Sequence, residues 1–466
     1  MKRTIKRSLI EATWPRLKNI NNFPMDVSLS IDSRTLEPGD VFFAIPGEHS
    51  DGHDFINQAM ERGAALIVAE HTYKGIIDPS LPILFVNNSL KALSELAHSH
   101  LRSMSCTKIA ITGSNGKTTT KEMVKALLCY VFGDDAVYAS AGNRNNHFGV
   151  PLSALEVLPT HRFAIFELGM NHAGEIKELA EIVEPDIGVI TNIGHAHEGN
   201  FPDGIEGVAL AKGELFENLA QRSGVAVVNQ DDERVVAMAQ RYGVKNSVCF
   251  GSSTNADICL REYGPDESDP LEQHVVVHTQ AGDMAYHIPL LGSHHALNSA
   301  AALAVLVALK VPLNKSIEGF LCMKKTPGRL VVHKTSSGFT LIDDGYNANP
   351  TSMKAGIEAS LMIQGQRRIA VIGAMGELGA KSAQHHEALG HLLAQHFDQL
   401  FLCGPDAQFA VKGALNEGFK SENILYKDSS VLLIEPLKNM IRPDDVIFVK
   451  GSLSANMKAV VDALIT

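Results

Sequence analysis

The chain has 466 residues, 45% of them hydrophobic and 20% charged, which is an ordinary composition for a globular protein with a large core. Its length suggests about three domains of roughly 150 residues each. Its net charge of −11 argues against nucleic acid or an anionic membrane surface as a general partner, and its six cysteines lack the C-x-x-C spacing of a zinc or redox site.

The basic N-terminal segment MKRTIKRSLIEATWPRL has no continuous apolar stretch, so it does not read as a secretory signal. The longest apolar run, residues 300–309, is too short to cross a bilayer as a helix. We therefore expect a cytoplasmic protein that has no stable membrane insertion. We also expect a monomer, although the sequence leaves the oligomeric state open.

Residues 1–104 are predicted to form a first α/β domain. Three short apolar runs broken by Gly, Pro and Asp are typical of buried strands. They are VFFAI (41–45), ALIVA (65–69) and ILFV (83–86). Apolar residues with helical spacing over residues 89–101 predict a helix that closes this domain.

Residues 105–325 are predicted to form a second domain, in which strand-like and helical segments alternate. Such alternation is typical of a mostly parallel sheet wrapped by helices. The strand-like runs are KIAIT (108–112), FAIFE (163–167), IGVIT (187–191) and VAVVN (225–229). Residues 245–290 are more polar and alternating, which predicts a small antiparallel insertion, and residues 298–309 predict a buried helix.

Residues 326–466 repeat the alternation and predict a third, Rossmann-like domain. Its strand-like runs are FTLIDD (339–344), RIAVIG (368–373), LFLCG (400–404) and VIFVK (446–450). The predicted fold class is thus α/β, with three domains in succession.

The second domain opens with a phosphate-loop pattern, in which an apolar strand leads into G-S-N-G-K-T-T-T (113–120) and then a helix. Glycines there let backbone N–H groups surround a phosphate at the helix N-terminus. Lys117 adds a positive charge and the Thr118 hydroxyl is suited to Mg²⁺. Ile111 replaces the usual first glycine, so the motif is a shorter variant. The predicted ATP-binding residues are Gly113, Ser114, Asn115, Gly116, Lys117, Thr118 and Thr119.

Two later strands end in groups that suit a metal ion. The run FAIFE ends in Glu167, and IGVIT (187–191) is followed by N-I-G-H-A-H (192–197), which ends at His197. In a parallel sheet the carboxyl ends of strands carry the ligand site, so Glu167 is predicted to bind Mg²⁺. For His197 the residues alone leave metal binding and a purely structural loop contact equally open.

Taken together, these motifs resemble the Mur ligases over essentially the whole chain. The phosphate-loop part is shared with folylpolyglutamate synthases, but further matches follow along the sequence. They are D-S-R-T (32–35), G-N-R-N-N-H-F-G-V-P (142–151), A-K-G-E (211–214), L-G-S-H-H-A-L-N (291–298), P-G-R (327–329), D-D-G-Y-N-A-N-P (343–350), M-G-E-L-G (375–379) and V-K-G-S (449–452). The G-Y-N-A-N-P segment resembles most closely the members that add D-alanyl-D-alanine.

The resemblance implies an ATP- and Mg²⁺-dependent ligase that joins D-alanyl-D-alanine to a UDP-N-acetylmuramoyl-tripeptide through an acyl phosphate. It implies catalytic roles for Lys117, Glu167, His197 and Lys212. Glu167 and His197 match ligands of a second Mg²⁺, and Lys212 matches a lysine that this family carbamylates. The implied nucleotide contacts are His295, Asn298, Arg329 and Asp344. The implied substrate contacts are Ser33, Arg34, Asn143, Asn146, Tyr346, Asn347 and Asn349.

Three positions depart from the family pattern: His295, Ala374 and Leu453 stand where Asn, Asp and Arg are usual. The sequence leaves open whether the third residue of the acceptor peptide is diaminopimelate or lysine. It also leaves open whether His385 and His386 are structural or contact the dipeptide.

The principal alternative function is a folylpolyglutamate synthase-like amide ligase, which has no need of the D-S-R-T domain. An NAD-dependent oxidoreductase is disfavoured because Gly373, Gly376 and Gly379 have G-x-x-G-x-x-G spacing. A phosphate-loop switch protein is disfavoured because the guanine-type N-K-x-D sequence is missing.

Overall fold

The computed structural model describes residues 5–17, 24–47, 50–75 and 83–465. The first four residues of the basic N-terminal segment lie outside the described part. The chain divides into two compact units. Unit 1 comprises Met1–Ala110, Asp135–Gly169 and Glu175–Asp186, and unit 2 comprises Ile111–Asp134, Met170–Gly174 and Ile187–Thr466. The predicted domain boundaries after residues 104 and 325 are not tested by this division and stay predictions.

The secondary structure alternates between short strands and helices. In the described residues the strands are β1 (Ile5–Lys6), β2 (Asp26–Val27), β3 (Leu29–Ser30), β4 (Val41–Phe43), β5 (Leu66–Glu70), β6 (Ile83–Val86), β7 (Thr107–Thr112), β8 (Val137–Ala139), β9 (Phe163–Glu167), β10 (Ile187–Ile190), β11 (Val225–Asn229), β12 (Asn246–Gly251), β13 (Ile258–Pro265), β14 (Gln273–Thr279), β15 (Gly282–Ile288), β16 (Val331–Lys334), β17 (Thr340–Asp344), β18 (Arg367–Gly373), β19 (Gln399–Cys403), β20 (Ile424–Lys427) and β21 (Asp445–Lys450). The helices are α1 (Arg7–Thr13), α2 (Ile56–Glu61), α3 (Ser89–Arg102), α4 (Lys117–Phe132), α5 (Gly149–Ala154), α6 (Glu175–Val183), α7 (Ile205–Arg222), α8 (Glu233–Arg241), α9 (Ser293–Ala308), α10 (Pro350–Ser360), α11 (Ser382–His396), α12 (Ala407–Asn416), α13 (Val431–Met440) and α14 (Lys458–Ile465). None of the described helices is both long and apolar enough to cross a membrane.

Unit 1 contains a four-stranded parallel sheet in the order β3-β4-β5-β6. Its strands coincide with the apolar runs that predicted them. One face packs a small core that includes Phe42, Ile56 and Ile67. Farther along the chain, β8 and β9 pair in parallel, which leaves Glu167 at the carboxyl end of a buried strand.

Unit 2 contains the parallel run β10-β11-β12-β13, followed by β14 and β15, which pair antiparallel. The predicted antiparallel insertion at residues 245–290 is therefore only partly right. Strand β12 extends the parallel sheet, and the antiparallel pairing is confined to β13, β14 and β15. Helix α9 is buried along most of its length, as its Ala-rich sequence predicts.

The C-terminal sheet has the order β16-β17-β21-β18-β19-β20 and is parallel except for the edge strand β16. Alternate residues of its strands enter two separate cores. Ile342, Ala370 and Phe448 belong to one core, whereas Leu341 and Ile447 belong to the other. Because side chains alternate across a strand, this division shows helices covering both faces, as in a doubly wound fold.

Candidate active site

The phosphate loop lies between β7 and α4, and two glycines give it its shape. Gly113 has φ 149°, and a side chain there would lie 1.9 Å from Thr191 Oγ1. Gly116 has φ 80°, and a side chain there would lie 2.4 Å from Asn298 Oδ1. Both positions thus require glycine for conformation and for space. Helix α4 starts at Lys117 with no side-chain cap, and a helix N-terminus favours a nearby anion.

The loop is held against the segment that follows β10. The Asn115 backbone N–H donates to Asn192 Oδ1 at 3.0 Å, and Thr191 Oγ1 donates to the Asn115 carbonyl at 2.6 Å. The Gly194 N–H donates to Ser114 Oγ at 2.8 Å. The loop is therefore preorganised before any ligand arrives.

Lys117 and Thr118 lie at the first turn of α4. Lys117 Nζ donates to the Gly113 carbonyl at 2.7 Å, so its ammonium already lies across the loop. The Thr118 side chain is buried, and both residues line a small polar pocket that also includes Ala196, His197 and Arg329. The structure thus brings the two residues to one pocket, and their binding of phosphate stays a prediction.

A second cavity adjoins the loop and collects the predicted nucleotide contacts. It is lined by Gly116, Thr119, His294, His295, Asn298, Arg329, Asp344 and Lys450, among others. The Arg329 guanidinium lies 4.2 Å from the centre of the Tyr346 ring, a cation–π contact. Burial lowers the pKa of His294 to about 4 and that of His295 well below its usual range, so both imidazoles are neutral.

A buried ion pair forms part of this cavity. Lys450 Nζ lies 2.5 Å from Asp344 Oδ2 and 3.1 Å from the Asn347 carbonyl. Burial raises the pKa of Asp344, and the Lys450 charge opposes that rise. Burial lowers the pKa of Lys450, and Asp344 opposes that change. Each charge thus depends on the other, since an unpaired buried charge is costly.

Asn349 has two roles in the structure. Its Oδ1 accepts the Ser352 backbone N–H at 2.9 Å and so caps α10. Its Nδ2 donates to Asn115 Oδ1 at 2.7 Å, which joins the start of α10 to the phosphate loop. Asn349 was predicted to contact substrate, and that prediction remains untested.

Lys212 lies on α7 and is 1% exposed. Burial lowers the pKa of Lys212 well below the usual lysine range, and the nearby charge of Lys117 lowers it further. The Lys212 amine therefore lies within the electrostatic reach of Lys117 in the phosphate loop, and its burial disfavours the ammonium form.

His197 precedes a short 3₁₀ turn and has φ 62°, an uncommon conformation for a residue with a side chain. Its Nδ1 lies 2.5 Å from Glu377 Oε2, and this contact lowers the pKa of Glu377. The structure therefore gives His197 a carboxylate neighbour within the motif M-G-E-L-G.

In unit 1, Glu167 is buried at the end of β9. Its Oε1 accepts from Asn145 Nδ2 at 2.8 Å, and its backbone N–H donates to Ser140 Oγ at 3.2 Å. Asn143 and Asn146, the predicted contacts of this segment, are exposed, and Asn146 Oδ1 accepts the Gly149 N–H at 2.8 Å.

Ser33 and Arg34 also lie in unit 1, where they differ sharply in exposure. The buried Ser33 hydroxyl donates to Gln58 Oε1 at 2.6 Å. The Arg34 side chain is 81% exposed and pairs with Asp32 at 2.8 Å. The adjacent groove in this unit is lined by Ser30, Thr35, Asp40, Tyr138, Arg144 and Glu156, among others.

Three residues of the site were missed by the sequence prediction: Asn145, Glu377 and Lys450. Each lies inside a motif that had been recognised, G-N-R-N-N, M-G-E-L-G and V-K-G-S. The sequence signal that could have found each of these three residues is its polar side chain inside a recognised motif. Which asparagine of the first motif reaches a carboxylate depends on the loop conformation, which composition does not reveal.

The comparisons with known proteins cover all parts of the chain. Family models match residues 27–100 (Mur ligase family, catalytic domain), 111–306 (Mur ligase middle domain) and 328–453 (Mur ligase, glutamate ligase domain). UDP-N-acetylmuramoyl-tripeptide--D-alanyl-D-alanine ligase of Bacillus subtilis is 31% identical, covering 94% of this chain and 93% of its own length. The Escherichia coli enzyme of the same name is 32% identical, covering 98% and 99%.

Solved structures give the same relationship. A crystal structure of MurF from Acinetobacter baumannii matches with a TM-score of 0.88 and 30% identity over 99% of both chains. MurF ligase from Thermotoga maritima, crystallised in complex with ADP, matches with a TM-score of 0.82 and 30% identity over 93% of this chain and 96% of that one. Mycobacterium tuberculosis folylpolyglutamate synthase shares only the fold, at 17% identity and a TM-score of 0.62.

Proposed function

The chain belongs to the Mur ligase family, and from that premise we propose that it joins D-alanyl-D-alanine to UDP-N-acetylmuramoyl-tripeptide at the expense of ATP. The products are UDP-N-acetylmuramoyl-pentapeptide, ADP and phosphate. This choice of substrates rests on the match to relatives named UDP-N-acetylmuramoyl-tripeptide--D-alanyl-D-alanine ligase. The match extends over more than nine-tenths of both chains. In a cell this reaction supplies a precursor of peptidoglycan, and its soluble substrates would place the enzyme in the cytoplasm.

The phosphate loop and the adjoining cavity hold ATP in this proposal. The loop N–H groups and Lys117 bind the phosphates, while His295 and Asn298 face the adenine and Asp344 the ribose. Arg329 lines both pockets, so its guanidinium can approach a phosphate while stacked on Tyr346. The neutral, buried His295 is suited to a base rather than to an anion.

The reaction begins when a carboxylate oxygen of the tripeptide attacks the γ-phosphorus of ATP and ADP leaves. This step brings two anions together, and the ammonium of Lys117 offsets part of their repulsion. The amine of D-alanyl-D-alanine then attacks the acyl carbon and loses a proton, and phosphate departs with the former carboxylate oxygen. The chain itself needs no nucleophile for either step.

We propose Thr118, Glu167 and His197 as Mg²⁺ ligands, each by its match to the family motif. A hydroxyl and a carboxylate are the oxygen donors that Mg²⁺ prefers, so the first two residues fit that ion best. When bound, Mg²⁺ would neutralise phosphate charge during transfer. Glu377, at 2.5 Å from His197 Nδ1, orients that imidazole.

The Lys212 amine is proposed to carry a carbamate. The nitrogen of the neutral amine would attack carbon dioxide and release one proton, which converts an uncharged buried group into an anion. The burial of Lys212 and its proximity to Lys117 support this chemistry, because both lower the pKa of the amine and so favour its neutral form. The Lys117 charge also favours an anion in place of the amine.

The remaining substrate contacts are proposed by motif match. Ser33 and Arg34 would meet the uridine diphosphate end, and Asn143 and Asn146 would contact the same substrate. Tyr346, Asn347 and Asn349 would lie towards the dipeptide. We further propose the division into domains at residues 1–104, 105–325 and 326–466, and a monomeric enzyme.

A ligation assay tests the proposal. Purified enzyme, ATP and D-alanyl-D-alanine are combined with UDP-N-acetylmuramoyl-tripeptide carrying either diaminopimelate or lysine, and pentapeptide is detected by mass spectrometry. A tetrahydrofolate plus glutamate reaction serves as the matched comparison. Product with at least one tripeptide and none with folate is expected, whereas folate ligation alone would reject the proposal in favour of the folylpolyglutamate synthase-like alternative.

A further inference from the structure

Two histidines and one glutamate converge in unit 2 beside the phosphate pocket. His195 Nδ1 lies 2.7 Å from Glu198 Oε2, and His385 Nε2 lies 4.0 Å from the same oxygen. The two imidazole rings are 5.2 Å apart, and one ligand atom from each residue lies within 4.8 Å of the others. Three potential metal ligands thus face one small volume.

We propose that His195, Glu198 and His385 form a site for one transition-metal ion of the Zn²⁺ type, separate from the predicted Mg²⁺ ligands. Two imidazole nitrogens and one carboxylate oxygen are a known three-residue ligand set for Zn²⁺, with water as a fourth ligand. Imidazole suits Zn²⁺, Ni²⁺ and Cu²⁺, whereas Mg²⁺ prefers oxygen ligands.

The polar atoms of this cluster leave a ligand position open. His385 Nε2 is buried and has no hydrogen-bond partner among the described residues. Its neighbour His386 differs, because His386 Nε2 accepts the Met375 N–H at 2.9 Å and its Nδ1 bonds the Ser382 carbonyl. The two histidines therefore differ: His386 makes hydrogen bonds within the fold, whereas His385 Nε2 faces Glu198 Oε2 at 4.0 Å.

Glu198 is only 5% exposed, and its two oxygens have separate neighbours. Oε1 accepts from Lys381 Nζ at 2.6 Å, while Oε2 faces the two imidazoles. Lys381 thus holds one oxygen of the carboxylate, as an outer-shell group does for a metal ligand. The second oxygen is hydrogen-bonded to His195 Nδ1 at 2.7 Å, and a metal ion would replace that contact.

The backbone around the cluster is tightly packed. The Gly199 N–H donates to the Glu377 carbonyl at 3.2 Å, and a side chain at Gly199 would lie 2.6 Å from the Gly379 nitrogen. The segment that carries His195 and Glu198 is therefore held directly against the segment that leads to His385. A metal ion would add a link between the two segments and stiffen the loop that carries His197.

The site is distinct from the phosphate pocket. That pocket is lined by Ala196 and His197, and neither His195 nor His385 contributes to its lining. The side chain of His197 instead meets Glu377. Of the two histidines in the G-H-A-H segment, His195 thus contacts Glu198 and His197 contacts Glu377.

Binding of Co²⁺ to the full-length, chelator-treated enzyme tests the proposal, with millimolar Mg²⁺ present throughout. We expect one Co²⁺ per chain with visible absorption bands of low-coordinate cobalt, and displacement by one equivalent of Zn²⁺. His385→Ala should weaken binding at least tenfold, the scale of losing even an outer-shell partner. His391→Ala, on the same helix but paired with Glu417, is the matched control and should bind as wild type does.

Wild-type enzyme that binds no stoichiometric Co²⁺ would overturn the proposal. So would His385→Ala enzyme that binds as tightly as wild type, or binding that is lost in His197→Ala but kept in His385→Ala. Should His385→Ala fail to fold, as judged by circular dichroism without metal, His195→Asn takes its place under the same criteria. Added Zn²⁺ should also raise the Tm of wild type and leave that of the His385 or His195 variant unchanged.

Discussion

The side chains of Asn115 and Asn349, which are 234 residues apart in the chain, hydrogen-bond to each other. Asn349 Nδ2 donates to Asn115 Oδ1 at 2.7 Å, and Asn115 Nδ2 faces Asn349 Oδ1 at 3.4 Å. One residue belongs to the phosphate loop and the other caps α10. ATP binding and the position of α10 are therefore coupled through one pair of amides.

Substitution of Asn349 should separate these two roles. Asn349→Ala removes the cap and the loop contact, so it should cost about 1 kcal/mol of stability and raise KM for ATP. Asn349→Ser keeps a capping oxygen, so it should be as stable as wild type. Its side chain is too short to reach Asn115, so its KM for ATP should stay raised. Thermal unfolding and ATP kinetics measure the two effects. Equal KM values for Asn349→Ser and wild type would contradict the coupling.

Lys117→Met should lower kcat by roughly 10²- to 10³-fold, the scale of losing one preorganised group that stabilises developing charge. The Lys117 ammonium bonds the Gly113 carbonyl across the loop and fills no apolar core, so the Tm should change little. Lys125→Met, farther along the same helix, is the matched control. Comparable loss of activity in both variants would show a general effect on α4 instead.

Loss of the Lys450 charge should destabilise the fold through Asp344. In Lys450→Met the buried carboxylate has lost its partner, which costs about 3–5 kcal/mol. The double variant Asp344→Asn, Lys450→Met should recover much of that loss. The destabilisation of Lys450→Met should shrink as the pH falls, because protonated Asp344 needs no partner. A pH-independent loss would contradict a charge effect.

Lys212 should carry a carbamate when the enzyme is active. Because burial lowers the pKa of Lys212, its neutral amine is available at a pH where an exposed lysine is an ammonium. Turnover should fall as the pH falls and protonates the amine, and bicarbonate at fixed pH should restore part of it. Lys212→Ala should lose most turnover, and a small carboxylate such as propionate should rescue some.

Carbon-13 NMR with labelled bicarbonate gives the direct readout for Lys212. A carbamate resonance is expected in wild type and not in Lys212→Ala. Fully active wild-type enzyme without that resonance would contradict the assignment.

Local motifs predicted much of the fold and of the phosphate site. The strands at 41–43, 66–70 and 83–86 follow from short apolar runs, and Gly113 and Gly116 follow from the loop motif, because these features depend on neighbouring residues. The local sequence around Lys212 gave no signal of burial, yet the residue is 1% exposed. Only the family resemblance had indicated a special role there.

Features that depend on contacts between residues distant in the chain could not be predicted from the sequence. The Asp344–Lys450 and Asn115–Asn349 pairs join segments separated by more than one hundred residues, and no local pattern identifies such partners. The difference between His385 and His386 depends on which face of α11 meets Met375. The parallel pairing of β12 likewise depends on its neighbours, since its alternating sequence also suits an antiparallel strand.

The fate of a carboxylate oxygen tests the central claim most directly. UDP-N-acetylmuramoyl-tripeptide labelled with oxygen-18 in its reacting carboxylate is incubated with enzyme, ATP and D-alanyl-D-alanine. Attack of that carboxylate on the γ-phosphorus predicts pentapeptide, ADP and inorganic phosphate that carries one labelled oxygen per amide formed. Label in AMP, or unlabelled phosphate alongside labelled water, would contradict ligation through an acyl phosphate.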